Sequence, residues 1–483
     1  MRRWRMSSRK RPNLLEMTSS VLSFAKIALA TLSPTRYLIS AAQKACLNTL
    51  RRTRVGRLTI TARDGTVHTF GSDSHLSNAT SPIEASLIVR NDNFWLRIAL
   101  FGALGFGEAY MYDEITVPTD LASLMILLTQ NRDAYAEMNL LPAGLNAALN
   151  NLLLSRIPNT ILNAVSNIQA HYDLGNDMFT SFLDPTIMYS CPIWKTVPTG
   201  TESLRKDGPE EDPEDTLEQA QYRKVHAMLD MAHIKPGHHI LEFGTGWGTL
   251  AIEAVRRYPG SKVVSLTLSK EQKILAEDRI AAAGLSNSIT VLLCDYRNLK
   301  PTDYLPAGKT TFDRIVSIEM LEAVGPENLP VFFAKCNEYL DPKHGVLALQ
   351  VITMPDARYE AYLRKTDFIQ KHIFPGGHCP SVSAIVAAAY KGTRGNLILD
   401  DLDNIGPHYA QALRIWRHRF LENFDSVAAS AENRDAPYDA TFKRKWEFYF
   451  AFCEAGFATR TLGDIQVRFT RCENVDLLEG IPL

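Results

Sequence analysis

The sequence predicts a doubly wound α/β fold built on a mostly parallel sheet of seven strands. Short apolar segments recur from residue 217 onward: HHILEFG (238–244), KVVSLTL (262–268), ITVLLCD (289–295), DRIVSIE (313–319), GVLALQVIT (345–353), NLILDDL (396–402) and IQVRFT (465–470). Helical stretches separate them, such as KEQKILAEDRIAAAG, which stops at Gly284. A glycine-rich turn joins the first segment to a helix. Apolar strands alternating with helices need cover on both faces, which a parallel sheet provides. The last strands are expected to enter antiparallel.

Upstream, VGRLTITARDGTVHTF alternates like two strands joined at Asp64-Gly65, a hairpin signal. SPIEASLIVR reads as a third strand. FWLRIALFGALGFGEAYMY turns helical, and TDLASLMILLTQN opens with a Thr or Asp cap. Residues 55–150 therefore form a small α+β domain, and 165–483 the larger one. Residues 196–216, rich in Pro, Gly and acids, read as a surface loop.

Before these, residues 1–57 carry thirteen Lys or Arg and one acid, Glu16, although the 483-residue chain has a net charge of only -1. Residues 1–54 read as a basic amphipathic arm. Such a segment suits the surface of an anionic membrane or an organelle-targeting leader. A cytoplasmic location peripheral to a membrane is the expectation, with a mitochondrial location as the alternative. Nothing in the charge asks for nucleic acid as a partner. The seven cysteines are dispersed and form no Cys-x-x-Cys pair, so no metal site is expected.

In ILEFGTGWG, Gly244, Gly246 and Gly248 follow Glu242 at a strand end. Glycine there lets a ligand approach the backbone where a Cβ would collide. Thr249 stands where a dinucleotide fold places its third glycine. An acid such as Glu242 suits a cationic ligand, and S-adenosylmethionine carries an ammonium and a sulfonium and no phosphate. Thr267, Ser269 and Gln272 follow the second strand with hydrogen-bonding groups. Tyr296 follows the third and could stack on an adenine. Read alone, Ser269 is a helix cap and Tyr296 a core ring.

The segment HYDLGNDMFTSFLDPTIMYSCPIW (171–194) resembles the cyclopropane-fatty-acid synthase and mycolic acid cyclopropane synthase family. So do DTLEQAQYRKV, LEFGTGWG, LTLSKEQ, IVSIEMLEAVG, HIFPGGHCPS and FYFAFCEAGF, in family order from about 165 to 472. The 55–130 region looks like the N-terminal domain of longer members. The resemblance implies a Rossmann-like methyltransferase sheet, S-adenosylmethionine as cofactor, and methyl transfer to a cis double bond of an unsaturated lipid acyl chain, closing a cyclopropane. An alkene is a weak nucleophile, so holding it against the donor in a dry pocket does most of the work.

The resemblance also implies site residues. Tyr172, Tyr189, Ser190, Glu242, Gly244, Gly246, Gly248, Thr267, Gln272, Tyr296 and Arg297 would hold the cofactor. Cys191, Glu322, Ile352 and Tyr409 would cradle a bicarbonate that takes the proton, and Cys453 matches a C-terminal active-site cysteine. Without it, Cys191 and Cys453 are ordinary buried thiols, Glu322 a surface acid and Tyr409 a core aromatic. The acyl pocket would draw on a lid at 367–390 and on Phe368, Ile373, Phe374, Trp416, Phe420, Trp446, Phe448 and Phe450.

Gln350 stands where the family has a bicarbonate-binding histidine, and Ala323 where many members have His. An amide can donate a hydrogen bond but cannot carry a proton. Either a weaker bicarbonate site remains and the ring forms, or the cation loses a proton elsewhere and a methyl-branched or methylene chain results. Other unsaturated substrates, such as a polyene or a sphingolipid base, would need the same fold. A membrane-surface lipid-binding protein without catalysis is the reading of a different class. Oligomeric state is not legible.

Overall fold

The computed structural model describes residues 34–71, 83–135, 174–195, 215–430 and 438–478. Two sheets organise them. The smaller contains β1 (Arg57–Thr61), β2 (Val67–Gly71), β3 (Glu84–Val89) and β4 (Ile115–Thr116), in the order β2-β1-β3-β4. The hairpin forms at Asp64-Gly65 as its sequence requires. Ala62 N donates to Thr66 O, and Gly65 takes a φ of +86°. β1 and β3 run parallel, a pairing that strand periodicity alone does not reveal, and the short β4 was not legible either.

The helix Asn93–Met111 breaks at Gly102 (φ +56°, ψ -128°), a conformation open to glycine. Leu121–Gln130 follows, and the Asp120 carboxylate caps it by accepting from Ser123 N. The helix Pro34–Leu50, from the second half of the basic stretch, buries Ala42, Cys46 and Leu50. The Cys46 thiol donates to Trp95 O. Residues 1–33, and the 196–214 part of the acidic loop, lie outside the described residues.

The larger sheet contains β5 (His239–Phe243), β6 (Lys262–Thr267), β7 (Ile289–Leu293), β8 (Arg314–Ile318), β9 (Val346–Thr353), β10 (Leu397–Asn404) and β11 (Gly463–Arg471). Its order is β10-β11-β9-β8-β5-β6-β7. β5 to β9 are parallel, and β11 is antiparallel to both β9 and β10, as expected. β5 has β6 on one side and β8 on the other, so the winding reverses there. A ligand site belongs at the carboxyl ends of strands flanking such a reversal. β10 departs from the expectation of strands covered on both faces. Beyond Leu397 it is exposed, and Asp400, Asp401 and Asp403 lie along this edge.

The two sheets meet through the helices Tyr409–Ser430 and Ala440–Ala458. Trp416, Phe420, Trp446 and Phe450 interlock there, each essentially fully buried. Burying each such ring contributes about 1.5–3 kcal/mol. Polar ties fix the docking. Arg444 donates to Tyr110 O (2.6 Å) and Ile115 O (2.7 Å), and Arg417 bonds Asp120 (2.7 Å). Buried Glu108 receives Arg97, Lys371 (2.5 Å) and His372 (3.0 Å). Among the described residues no helix is long and apolar enough to cross a membrane.

Candidate active site

At the end of β5 the chain bends over β6: Gly244 N and Thr245 N both donate to Leu266 O (3.0 Å). Gly244 (φ +89°) and Gly246 (φ +50°) hold the bend, and Gly248 (φ +88°) caps the helix Thr249–Arg257. A Cβ added at Gly246 would meet nothing within 4 Å, so open space lies directly over the turn. Arg279 braces its back by donating to Trp247 O and Thr186 O. Glu242 is buried below and accepts from Ser265 Oγ. Burial, partly offset by that bond, pushes its carboxyl up to about 8.

The neighbouring strand ends complete this region. Thr267 Oγ1 donates to Gln272 Oε1 (2.9 Å), and Ser269 caps the helix Lys270–Ala282, which brings Gln272 back beside β6. Tyr296 packs against Phe243 and Phe332 at centroid distances of 5.7 and 5.5 Å. The Arg297 guanidinium closes on Asp295 and lies over the Tyr296 ring. An open glycine turn, hydroxyl and amide groups on the next strand and a partly exposed aromatic on the third suit S-adenosylmethionine. When bound, that cofactor supplies an electrophilic methyl group.

The second group lies one strand over. β8 ends beside β5, with Ser317 Oγ donating to Phe243 O, and a Cβ on Gly244 would sit 3.3 Å from Met320 Cβ. Glu319 precedes Met320 and adopts φ +47°, a conformation costing a non-glycine residue about 1–2 kcal/mol. Its carboxylate accepts from Cys191 N (2.7 Å), Gln350 Nε2 (2.9 Å) and Tyr409 OH (2.9 Å). Gln350 is oriented by its cross-strand neighbour Gln466, whose amide donates to Gln350 Oε1 (3.1 Å). Glu322 accepts from Ile352 N. Among the described residues its other oxygen has no partner.

Among the described residues, the Glu319, Glu322 and Asp464 carboxyl groups share this interior with the Lys224 ammonium, whose Nζ bonds Ser190 Oγ. Burial, and then the Glu319 charge, push Glu322 up to about 8 and Asp464 well above its ordinary range. Burial brings Lys224 down to about 8 against the pull of Glu319. Burial likewise raises the Cys191 and Cys453 thiols, so both are protonated at neutral pH and neither is a nucleophile.

Cys191, Glu322, Gln350, Ile352 and Tyr409 are brought together as the sequence suggested, but they do not fit an added bicarbonate. Its donors are already engaged by the protein: Cys191 N, Gln350 and Tyr409 by Glu319, and Ile352 N by Glu322. A second anion placed against the Glu319 carboxylate would meet repulsion in a medium that screens little.

A cavity of about 780 Å³ opens onto Tyr189, Glu319, Glu322, Ile352 and Tyr409, with Cys453 in its wall. That size and its mainly apolar wall suit a hydrocarbon chain. Of the aromatics expected to form it, Phe374 and Phe448 do. Trp416, Phe420, Trp446 and Phe450 instead fill the core between the long helices. Leu58, Ile60 and Leu87 of the smaller sheet and Phe94 of the helix Asn93–Met111 form another part of the wall.

Tyr189 ties to Tyr449 through their hydroxyls (2.7 Å) and packs on Phe179 and Trp416. Tyr172 lies outside the described residues. Sequence reading missed Glu319, Lys224 and Asp464. Two of them stood inside recognised motifs, IVSIEMLEAVG and DTLEQAQYRKV. Asp464 is the second residue of β11, where nothing local distinguishes it from a strand-end acid.

Comparison with known proteins agrees with this geometry. A family model described as mycolic acid cyclopropane synthetase matches residues 160–467. The tuberculostearic acid methyltransferase UfaA1 of Mycobacterium tuberculosis is 37% identical over 387 residues, covering 80% of this chain and 83% of that protein. The cyclopropane-fatty-acyl-phospholipid synthase of Escherichia coli is 31% identical over 411 residues, covering 82% and 89%. Among solved structures, the mycolic acid cyclopropane synthase CmaA1 complexed with SAH and CTAB superposes with a TM-score of 0.51 at 29% identity, covering 63% of this chain and 97% of that one. The chain belongs to the mycolic acid cyclopropane synthetase family of S-adenosylmethionine-dependent methyltransferases.

Proposed function

We propose that the protein transfers the methyl group of S-adenosylmethionine to a cis double bond of an unsaturated fatty acyl chain carried on a phospholipid, closing a cyclopropane. One observation carries this reading: an apolar cavity of acyl-chain size ends on Glu319, Glu322 and Tyr409, one strand from the glycine turn. The chain's residues keep water out, hold the alkene in place and offer a carboxylate for the proton. A second reading, a methyl-branched or methylene product, is favoured by Gln350 in the histidine position and by the likeness to a tuberculostearic acid methyltransferase. Purified protein with methyl-labelled S-adenosylmethionine and unsaturated phospholipid tests both by mass spectrometry and proton NMR. High-field ring protons support the first reading, and vinyl or methyl-doublet signals alone support the second. No labelled lipid and no affinity for the cofactor would reject both in favour of a non-catalytic lipid-binding protein.

The small domain's share of the wall gives a prediction. Leu87→Trp fills that part of the cavity, so the variant is expected to favour acyl chains shorter by two or more carbons. A shift of about tenfold corresponds to roughly 1.4 kcal/mol, within the range expected for methylene-scale discrimination. Competition between chains of different length measures it, and an unchanged preference would remove the small domain from substrate selection.

The basic stretch supports a peripheral membrane position. Deleting residues 1–33, which spares the packed helix Pro34–Leu50, is expected to reduce sedimentation with anionic liposomes, most at low salt. Equal sedimentation of both forms would contradict it.

A further inference from the structure

We infer that Glu319 is the catalytic base, a built-in carboxylate occupying the position of an exogenous bicarbonate, so that the reaction runs without any added anion. The inference rests on the proposed methyl transfer and goes beyond it by assigning the proton acceptor. Both Glu319 oxygens are engaged by groups aligned for an oxyanion: a backbone N–H from Cys191, the Gln350 amide and the Tyr409 hydroxyl. Convergence of three donors is the pattern of an acceptor-only carboxylate. The left-handed backbone at Glu319 turns this side chain in among them, and strain held at one residue is common where geometry serves chemistry. Glu319 also lines the acyl cavity, so its carboxylate is accessible to a chain lying there.

Gln350 fits this arrangement better than a histidine would. An imidazolium suits a free anion that must be captured from solution. A tethered carboxylate needs no capture, and a neutral amide fixed by Gln466 supplies a hydrogen bond without a proton to lose. Asp464 and Glu322, both raised by burial, keep their protons, so neither competes with Glu319 as the acceptor.

The step balances without oxidant or reductant. The alkene π pair forms the bond to the methyl carbon while the carbon–sulfur bond breaks, its electron pair remaining on sulfur. The neighbouring chain carbon becomes cationic. A C–H bond of the new methyl then gives its electron pair to close the ring, and the proton passes to a Glu319 oxygen. If the proton leaves a chain carbon instead, the pair forms a double bond and the same carboxylate receives it. Release of product returns the proton to solvent.

The test measures methylated lipid formed in carbon-dioxide-stripped buffer, with and without sodium bicarbonate. Wild-type protein is expected to turn over equally, within twofold, under both conditions. A rise of tenfold or more with bicarbonate would overturn the assignment. Glu319→Ala is expected to lose about 100-fold or more, the usual worth of a general base. It should regain at least tenfold when bicarbonate or formate enters the vacated space, which a structural role would not produce. Full activity in the variant, or a loss that neither anion relieves, would refute the inference. Glu319→Gln, with melting and affinity for S-adenosylhomocysteine recorded, checks the same loss in a side chain of equal size. The wild-type comparison depends on no variant folding. Wild-type protein that methylates no acyl chain would sink the substrate reading together with this one, whereas transfer only with bicarbonate sinks this one alone.

Discussion

Gly246→Val is expected to weaken binding of S-adenosylhomocysteine by about 100-fold, roughly 2.8 kcal/mol, while the protein stays folded. The two effects separate because of where the side chain would go. Gly246 has a φ of +50°, so a β-branched residue incurs strain of about 1–2 kcal/mol. A Cβ added there meets no protein atom within 4 Å. It stands in the space over the turn, where the cofactor belongs. Gly71 makes the contrast: a Cβ there lies 1.9 Å from Gly56 O, so substitution would damage the fold and not a ligand site. Calorimetric titration alongside thermal melting reads both quantities. Unaltered affinity in a folded Gly246→Val protein would mean that the turn holds no ligand.

The second large effect is on stability. Glu108→Ala is expected to cost about 2–3 kcal/mol, toward the low end for a buried ion pair because Lys371 remains about a third exposed. Glu108 is buried and receives Arg97 from its own helix, Asn93–Met111, and Lys371 and His372 from the helix Phe368–His372. Burial alone would raise its carboxyl, but the His372 and Lys371 bonds outweigh it and hold the group down at about 2. A depressed carboxylate stabilises the fold above its unfolded value near 4.5, and that contribution is lost as pH falls from there toward 2. Wild-type melting temperature should therefore drop steeply over this range, and Glu108→Ala should flatten the acid limb. Parallel acid limbs in the two proteins would show that the cluster contributes nothing to docking.

Much of the larger sheet was legible because its strands are apolar on both faces and too short for helices. Its glycine turn was legible because it falls between a strand and a helix. The small domain was readable as a hairpin, a strand and two helices. Its role in the cavity was not, since Leu58, Ile60 and Leu87 alternate as any core-facing residues do. A wall residue and a core residue share one hydropathy signature. The resemblance carried the search to Cys191, Glu322, Gln350 and Tyr409, and their convergence follows the motif order. Glu319 escaped because its partners lie 128 residues earlier, at Cys191, and 90 later, at Tyr409. No local pattern encodes that meeting. Nor does any pattern separate Lys224, buried on one face of an amphipathic helix, from the solvated charges around it.

The antiparallel strand β11 inserts between β9 and β10, and it brings Gln466 opposite Gln350 and Asp464 into the carboxyl group. Ribosomal synthesis is directional, so the reaction centre is completed only after almost every other element has emerged. Until then β9 presents one unpaired margin of backbone amides and carbonyls to its surroundings. A message cut short between codons 405 and 462 would therefore yield a polypeptide with its glycine turn and Glu319 in place, no Gln466 to hold Gln350, and a sticky flank that invites assembly into insoluble aggregates.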